Sequence, residues 1–357
     1  DWRVWEGDVR DFDWRDIEDD VDLLAGGPPC QPFSMGGKHR AHDDDRDMFP
    51  ATFDVVRTLR PKAVLIENVK GLARASFADY FDYILLRLEF PELTLDEGES
   101  RVDHLTRLRE VKATGDKRNL GLTYDVAATL VNAADYGVPQ RRERVFFVGF
   151  RSDLEASWRF PAPTNSRDEL LRAKWKTGEY WEEHRVPKKR RPEIPKRLRG
   201  KIERLADELP FPITRRWRTV RDAFVDLPDP RRPAAKRFLN HRWQPGAKSY
   251  PGHTGSPLDE PAKTLKAGDH GVPGGENMAA LANGELRYFS VREAARLQTF
   301  PDGYAFVGSW TETMRQLGNA VPVALARVAA ASIAESLAEA AFRKTAIAAE
   351  PELRSVP

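Results

Sequence analysis

The stretch VDLLAGGPPCQPFS, residues 21–34, decides the fold prediction for this chain of 357 residues. Its first half, VDLLAGG, is a short apolar run that ends in glycines, which is typical of a buried strand. Its second half places Cys30, the single cysteine of the chain, directly after that strand. A lone thiol at this point is either a structural core cysteine or a reactive group presented to a pocket.

The residues that follow predict strands that alternate with helices. Further strands are predicted for KAVLIENV (62–69), for the segment 122–139 and for RVFFVGF (144–150), with helices over 48–61 and 80–88. This alternation favours a parallel-rich α/β sheet. Ligands of such sheets bind beyond the carboxyl ends of the strands, and both Cys30 and Glu67 fall at such ends.

Charge is distributed unevenly in a chain whose net charge is only +2. Residues 185–250 contain 20 Lys/Arg against 7 Asp/Glu, whereas residues 1–50 contain 6 against 14. The basic segment is either a polyanion site or a solvated charged face. One cysteine excludes a disulfide framework and a multi-cysteine zinc site. Since no uninterrupted run of 18 apolar residues occurs, we expect no transmembrane helix and no membrane partner.

Four side chains are candidates for chemistry. The Cys30 thiolate could act as a nucleophile, and burial would raise the pKa of Glu67 so that it could hold or give a proton. Arg142 and Arg144 are two positions apart, so in an extended chain they would share one face and could bind one anion. Each residue also has a structural interpretation, and a thiol hydrolase would need a histidine partner that the sequence does not offer.

Five sequence blocks, taken in their order along the chain, indicate a protein family more specifically than any single residue does. They are GGPPCQPFS (26–34), IENV (66–69), QRRERVFFVGF (140–150), SVREAARLQTFPDGY (290–304) and QLGNAVPVALA (316–326). Together they resemble the ordered motifs of the DNA cytosine-5 methyltransferases, which use S-adenosylmethionine. The resemblance runs from about Gly7 to the end of the alanine-rich C-terminal helix.

The resemblance implies an α/β fold with two parts. One is a class I S-adenosylmethionine-dependent methyltransferase (Rossmann-like) catalytic domain, and the other is a smaller, irregular target-recognition domain. The expected boundaries are 1–155 for the first catalytic part, 156–305 for target recognition and 306–357 for a return to the catalytic domain. A highly charged insertion at about 91–120 is expected to be a surface excursion.

The resemblance also implies catalytic roles. Cys30 matches the nucleophile that adds to C6 of cytosine, and Glu67 matches the carboxyl that engages N3 and the exocyclic amine. Arg144 matches the arginine near O2, with Arg142 as its neighbour on the same face. Because the target base must leave the duplex to be reached, base flipping is implied.

The cofactor implied is S-adenosylmethionine, with no metal. Asp8 would meet the adenine amino group and Val9 its ring, and Phe49 and Asn319 would add contacts. The family's Phe-x-Gly-x-Gly loop and the acidic residue for the ribose hydroxyls have no match in this chain. We therefore expect a preceding N-terminal segment or a second chain to complete the cofactor site.

Duplex DNA is the implied partner. The residues expected to contact it are Gln31, Ser34, Lys38, Arg40 and Arg46, on or next to a mobile loop, and the pair Thr264 and Leu265. A cognate restriction endonuclease is a possible further partner, in a restriction–modification or related phage-defence system of the cytoplasm and nucleoid. The alternatives are a tRNA cytosine-5 methyltransferase and a cofactor-deficient, DNA-binding homologue or subunit.

Overall fold

The computed structural model describes residues 3–18, 20–29, 47–115, 120–205, 214–248, 254–267 and 277–349. The chain divides into two compact units. The first unit comprises Asp1–Val131, Glu143–Phe160 and Ala330–Pro357, and the second comprises Asn132–Arg142 and Pro161–Ala329. The second unit is thus larger than the recognition domain expected from the sequence, because residues 132–142 and 306–329 also pack with it.

The first unit is built on a four-stranded sheet. Its strands are β1 (Leu23–Gly26), β2 (Ala63–Val69), β3 (Tyr124–Asn132) and β4 (Glu143–Arg151), in the order β1-β2-β4-β3. The pair β1–β2 is parallel, but β2–β4 is antiparallel, with Val69 opposite Arg144. The prediction of a parallel-rich sheet is therefore wrong for the described strands. The reversal of β4 brings the start of that strand beside the end of β2.

Three helices of the first unit are α1 (Phe49–Leu59), α2 (Ala78–Glu89) and α3 (Arg101–Thr114). Helix α1 ends before Pro61, as predicted. A proline disfavours the helical conformation at the residue before it, and Arg60 at that position is left-handed, at φ 48°. Its apolar face packs with α2 against β2 and β4, in a core that is rich in aromatic rings.

Helix α3 gives the charged insertion at about 91–120 a regular structure. It buries His104, Leu105 and Leu108 against the core of the first unit. Its first residue, Arg101, lies 3.9 Å from the carboxylate of Asp47, which also accepts a hydrogen bond of 2.5 Å from the Tyr80 hydroxyl. The insertion is therefore packed into the unit, and the prediction of a simple surface excursion describes only its exposed face.

Strand β1 lies at the edge of the described sheet. Leu23 and Leu24 are half-buried, and Ala25 and Gly26 are exposed. The strand forms where the sequence predicts it, but the expectation that it is buried is wrong for the described residues. Its apolar side chains have a neighbour on one side only, since β1 pairs with β2 alone among the described strands.

The second unit consists of short elements. They are β5 (Asn165–Ser166), α4 (Arg167–Trp175), α5 (Glu179–Glu183), α6 (Arg199–Arg204), β6 (Arg215–Arg216), α7 (Val220–Ala223), β7 (Ser256–Pro257), β8 (Met278–Ala280), β9 (Leu286–Tyr288), α8 (Val291–Leu297) and α9 (Trp310–Asn319). The long helix α10 (Val323–Ala349) begins in this unit and continues in the first. The predicted capping box at the start of α8 is confirmed, since Ser290 and Glu293 satisfy each other's backbone groups. One buried cluster contains Leu265, Phe289 and Leu317, and another contains Trp181 and Trp217.

Helix α10 begins directly after Pro322, as predicted, and supplies residues to both units. Together with α9 it forms the one stretch, within the described part of the chain, whose length and composition would suffice to cross a membrane. A window of it has a mean hydropathy of 1.5, and a third of that window is buried in the protein. Core helices of soluble proteins meet the same test, so this is weak evidence for a membrane.

Candidate active site

Glu67 and Arg144 form an ion pair at one end of the sheet. The antiparallel register sets Glu67 opposite Phe146, so its side chain shares a face with Arg144, two positions earlier on β4. The Arg144 Nε atom lies 2.8 Å from Glu67 Oε1, and the side chains are only 11% and 14% exposed. The structure thus brings together two of the four side chains predicted for catalysis.

The environment of this pair is largely dry. Burial lowers the pKa of the Arg144 guanidinium, and the negative charge of Glu67 opposes that shift. Arg144 also donates a hydrogen bond of 2.8 Å to the Glu143 carbonyl. An arginine stays charged even when buried, so Glu67 has a fixed cation beside it. This arrangement fixes the direction in which the carboxyl group points.

The chain that leads to Cys30 passes beside Glu67. A Cβ atom added to Gly27 would lie 3.6 Å from Glu67 Oε2, an ordinary van der Waals distance, so the backbone at Gly27 lies close to the carboxylate. The buried amide of Asn68 donates a hydrogen bond of 3.1 Å to the Pro28 carbonyl. Asn68 was not among the predicted site residues. A buried amide at the end of an apolar strand was the signal for it, because such a group needs a hydrogen-bond partner.

Arg142 has a different role from the one predicted. Its side chain is 0% exposed, and it donates to the carbonyls of Leu265 (3.4 Å) and Gly318 (2.7 Å). The guanidinium thus binds backbone oxygens within the second unit and does not share an anion with Arg144. The i, i+2 rule fails here because β4 begins at Glu143, so Arg142 precedes the strand and is not governed by its alternation.

The predicted pair Thr264 and Leu265 is held against the segment 139–142. The Thr264 hydroxyl donates to the Arg141 carbonyl at 2.7 Å, and the Leu265 N–H donates to the Gln140 side chain at 3.1 Å. Gln140, which the sequence did not single out, is fully buried and also donates to the Leu297 carbonyl at 3.3 Å. The Leu265 side chain is 1% exposed in the core, so the prediction that it contacts DNA is wrong for that side chain.

The predicted cofactor residues differ in their surroundings. Hydrogen bonds from Arg10 lower the pKa of Asp8 to about 2, so its carboxylate is an anionic acceptor at neutral pH. Val9 is half-buried, and Asn319 is exposed at the last position of α9. Phe49 is 0% exposed and packs edge-on against Tyr80. Asp8 and Asn319 therefore suit a polar ligand, whereas the prediction of a Phe49 contact is wrong because that ring is enclosed by the core.

Six predicted residues lie outside the described part of the chain: Cys30, Gln31, Ser34, Lys38, Arg40 and Arg46. Within the described ranges, one group of side chains is close enough to hold a metal ion, namely Glu183, His184 and Asp222. The guanidinium of Arg216 bridges two of its members, at 2.8 Å from both Asp222 and Glu183. That ion pair explains the cluster without a metal.

A sheet with a buried acid–guanidinium pair at one end, together with a separate unit of short elements, defines an α/β protein of two units. A solved structure supports the class: Dnmt2 methyltransferase of S. pombe superposes with a TM-score of 0.51 at 17% identity, covering 93% of this chain and 84% of its own. The fold is that of a class I S-adenosylmethionine-dependent methyltransferase.

The chain belongs to the C-5 cytosine-specific DNA methylases, whose family model matches residues 2–91 and 112–335. Type II methyltransferase M.Eco47II of Escherichia coli is 31% identical over 342 residues, which cover 94% of this chain and 69% of that protein. Type II methyltransferase M.AplI of Arthrospira platensis is 28% identical and covers 93% and 73% respectively. The unmatched residues 92–111 contain most of α3 and correspond to the insertion recognised in the sequence.

Proposed function

We propose that this chain methylates C5 of a flipped cytosine in duplex DNA through a covalent bond between Cys30 and C6. The observation that carries the proposal is the Glu67–Arg144 pair, which lies beside Gly27 on the path of the chain towards Cys30. Family membership supplies the reaction class, cytosine-5 methylation with S-adenosylmethionine.

Cys30, Glu67 and Arg144 each have a separate role in the proposed reaction. The Cys30 thiolate adds to C6 and the C5–C6 double bond opens, while Glu67 gives a proton to N3, so that C5 becomes nucleophilic. Arg144 keeps the Glu67 carboxyl in place and can donate to O2 of the base. After C5 has taken up the methyl group, a base removes the C5 proton, the C5–C6 double bond forms again, the thiolate leaves C6 and N3 returns its proton to Glu67.

S-adenosylmethionine, when bound, supplies an electrophilic methyl group. Asp8 would accept a hydrogen bond from the adenine amino group, since its low pKa keeps it ionised and its backbone carbonyl already receives the Asp11 N–H. Val9 would lie against the adenine ring. The exposed Asn319 would add a polar contact.

A further polypeptide segment, in cis or in trans, would complete the cofactor site by pairing with the outer edge of β1. The edge fits an added strand, which is a common mode of polypeptide recognition. A groove of about 550 Å³ near the start of β1 is lined by Leu23, Leu154, Ile333 and Leu337 and also by the charged residues Asp22, Lys62, Arg151 and Lys344.

The biological setting proposed is restriction–modification. Both relatives described above bear names of Type II methyltransferases. A cognate endonuclease that cuts the unmodified site is the partner this setting implies, and the proposed location is the cytoplasm, at the DNA of the nucleoid.

Cations on the second unit are proposed to bind DNA phosphates. Lys188, Lys189 and Arg190 lie in a short helical turn, are all exposed and form no ion pair among the described residues. By contrast, the surface cations Arg57 and Arg60 are each paired with a carboxylate. The three free cations therefore favour a polyanion over an internal partner.

Replacing Lys188, Lys189 and Arg190 together by alanine should weaken duplex binding and its salt dependence. Each phosphate contact contributes about −0.9 to the slope of log K against log salt, so losing three would flatten it by up to about 2.7. Fluorescence anisotropy over a salt series measures both quantities. The control variant replaces the paired cations Arg57, Arg60 and Arg109 and should leave the slope unchanged. Equal slopes in the two variants would contradict the assignment.

Transfer of a labelled methyl group from S-adenosylmethionine to mixed-sequence duplex DNA tests the function, with Cys30→Ser beside the wild type and tRNA as a competing acceptor. We expect label at C5 of cytosine in DNA and none with the variant. Label that persists in the variant, or that enters tRNA preferentially, would refute the proposal. A folded chain that binds DNA without transferring label would show that the added segment at β1 is required.

A further inference from the structure

One buried side chain of the second unit contacts two segments that are far apart in sequence. The Arg142 guanidinium donates to the carbonyl of Leu265 with Nη1 and to that of Gly318 with Nη2. Leu265 follows Thr264, which was predicted to contact DNA, and Gly318 precedes Asn319, which was predicted to contact the cofactor. The two segments are 123 and 176 positions away from Arg142.

The segment 262–267 is fixed on one side by the chain around Arg142. The Arg141 N–H donates to the Ala262 carbonyl at 2.8 Å, and the Ala262 N–H donates to the Pro139 carbonyl at 2.9 Å. The Thr264 hydroxyl and the Leu265 N–H add two further hydrogen bonds to the same strip. This density of bonds leaves the backbone at Thr264 little freedom.

The other side of the segment touches Gly318 directly. A Cβ atom at Gly318 would lie 2.7 Å from the backbone nitrogen of Ala267 and 2.7 Å from the carbonyl carbon of Lys266. Such distances are below van der Waals contact, so the two backbones are as close as a glycine permits. A movement of Gly318 towards residues 266–267 would therefore push their backbone aside, and the reverse holds too.

We propose that Arg142 is a positioning residue that couples target recognition at Thr264 to cofactor binding at Asn319. The inference rests on the proposed function for the roles of those two residues. A guanidinium is planar and rigid, so two carbonyls bound to the same fork keep a fixed separation. When one ligand fixes the position of one carbonyl, Arg142 favours the matching position of the other. The affinity for DNA then depends on whether the cofactor is bound, and the reverse.

Arg142→Lys tests the coupling because lysine keeps the positive charge but lacks the rigid, planar guanidinium that holds both carbonyls. The dissociation constant of S-adenosylhomocysteine is measured by calorimetry, with and without saturating mixed-sequence duplex DNA. The ratio of the two constants is the coupling factor, and couplings between sites are typically about 5- to 150-fold. We expect a ratio in that range for the wild type and a ratio that falls towards one for the variant.

Arg292→Lys is the matched control. Arg292 is also 0% exposed in the second unit and donates to three backbone carbonyls, those of Leu239, Pro301 and Tyr304. None of these belongs to the two coupled segments. This variant should lose stability in the same way as Arg142→Lys, yet keep the wild-type coupling factor.

Three results would overturn the proposal: a folded Arg142→Lys variant that keeps the coupling factor, an equal loss of coupling in Arg292→Lys, or a wild-type chain that binds both ligands independently. The last result would leave the proposed function standing. A wild-type chain that binds neither ligand would refute both. A coupling lost in Arg142→Lys alone supports the assignment.

Discussion

The Glu67→Gln variant should lower kcat for methyl transfer by about 10²- to 10⁴-fold, the usual contribution of a positioned acid. Glutamine has nearly the same shape and can still lie beside Arg144, whose Nε atom is 2.8 Å from Glu67 Oε1. It cannot give a proton to N3 of cytosine, so addition of the Cys30 thiolate loses its acid catalyst. Single-turnover transfer of labelled methyl groups to duplex DNA measures the effect on the chemical step.

Glu143→Gln is the control for this variant. Glu143 is also a carboxylate beside Arg144, but it is exposed and pairs with Lys70 at 2.8 Å on the surface. Exposed pairs contribute about 0–1 kcal/mol to stability, so we expect little change in kcat or in the unfolding midpoint. A Glu67→Gln enzyme with wild-type kcat would remove Glu67 from the mechanism. A loss of DNA binding together with unfolding would assign it a structural role instead.

Gly318→Ala should destabilise the protein by about 1–3 kcal/mol, the usual cost of forcing an extra carbon into a packed interior. The atoms that the new methyl group would meet, 2.7 Å away, belong to the backbone of Lys266 and Ala267 and cannot rotate aside. Urea unfolding, with the slope compared as well as the midpoint, measures the change in the free energy of unfolding.

Gly200→Ala provides the comparison. Gly200 lies in α6, has no neighbour within 4 Å of a new Cβ atom and has no positive φ. Alanine favours a helix interior over glycine by about 1 kcal/mol, so this variant should be neutral or slightly more stable. If both variants unfold at the same urea concentration, the close contact at Gly318 has no energetic importance.

The sequence predicted several elements of both units, because each of these depends on local patterns. The helix that ends before Pro61, the strand through Glu67 and the capping box at Ser290 all follow from residues within one element. The direction of β4 could not be predicted, because it depends on pairing with a strand about 80 positions earlier. That direction is what places Arg144 beside Glu67.

The roles of individual residues were harder to predict than their positions. Motif matching identified Phe49 and Leu265 as ligand contacts, but a motif does not reveal which side chains the core encloses. Arg142 was misassigned because the rule that relates alternate residues of a strand was applied to a residue that precedes β4. Asn68 and Gln140 were not selected because their partners are backbone groups, which the sequence does not identify, although the place of Asn68 at the end of an apolar strand was a signal.

The insertion that contains α3 also bears on how this enzyme could be shortened. Asp47 is almost fully enclosed, and Arg101 is the cation that faces it. Deleting residues 91–120 would leave that carboxylate without its counter-charge, next to the hydroxyl of Tyr80. A shortened version of the protein would therefore need Asp47 changed to asparagine along with the deletion, because the insertion supplies the cation that faces this carboxylate.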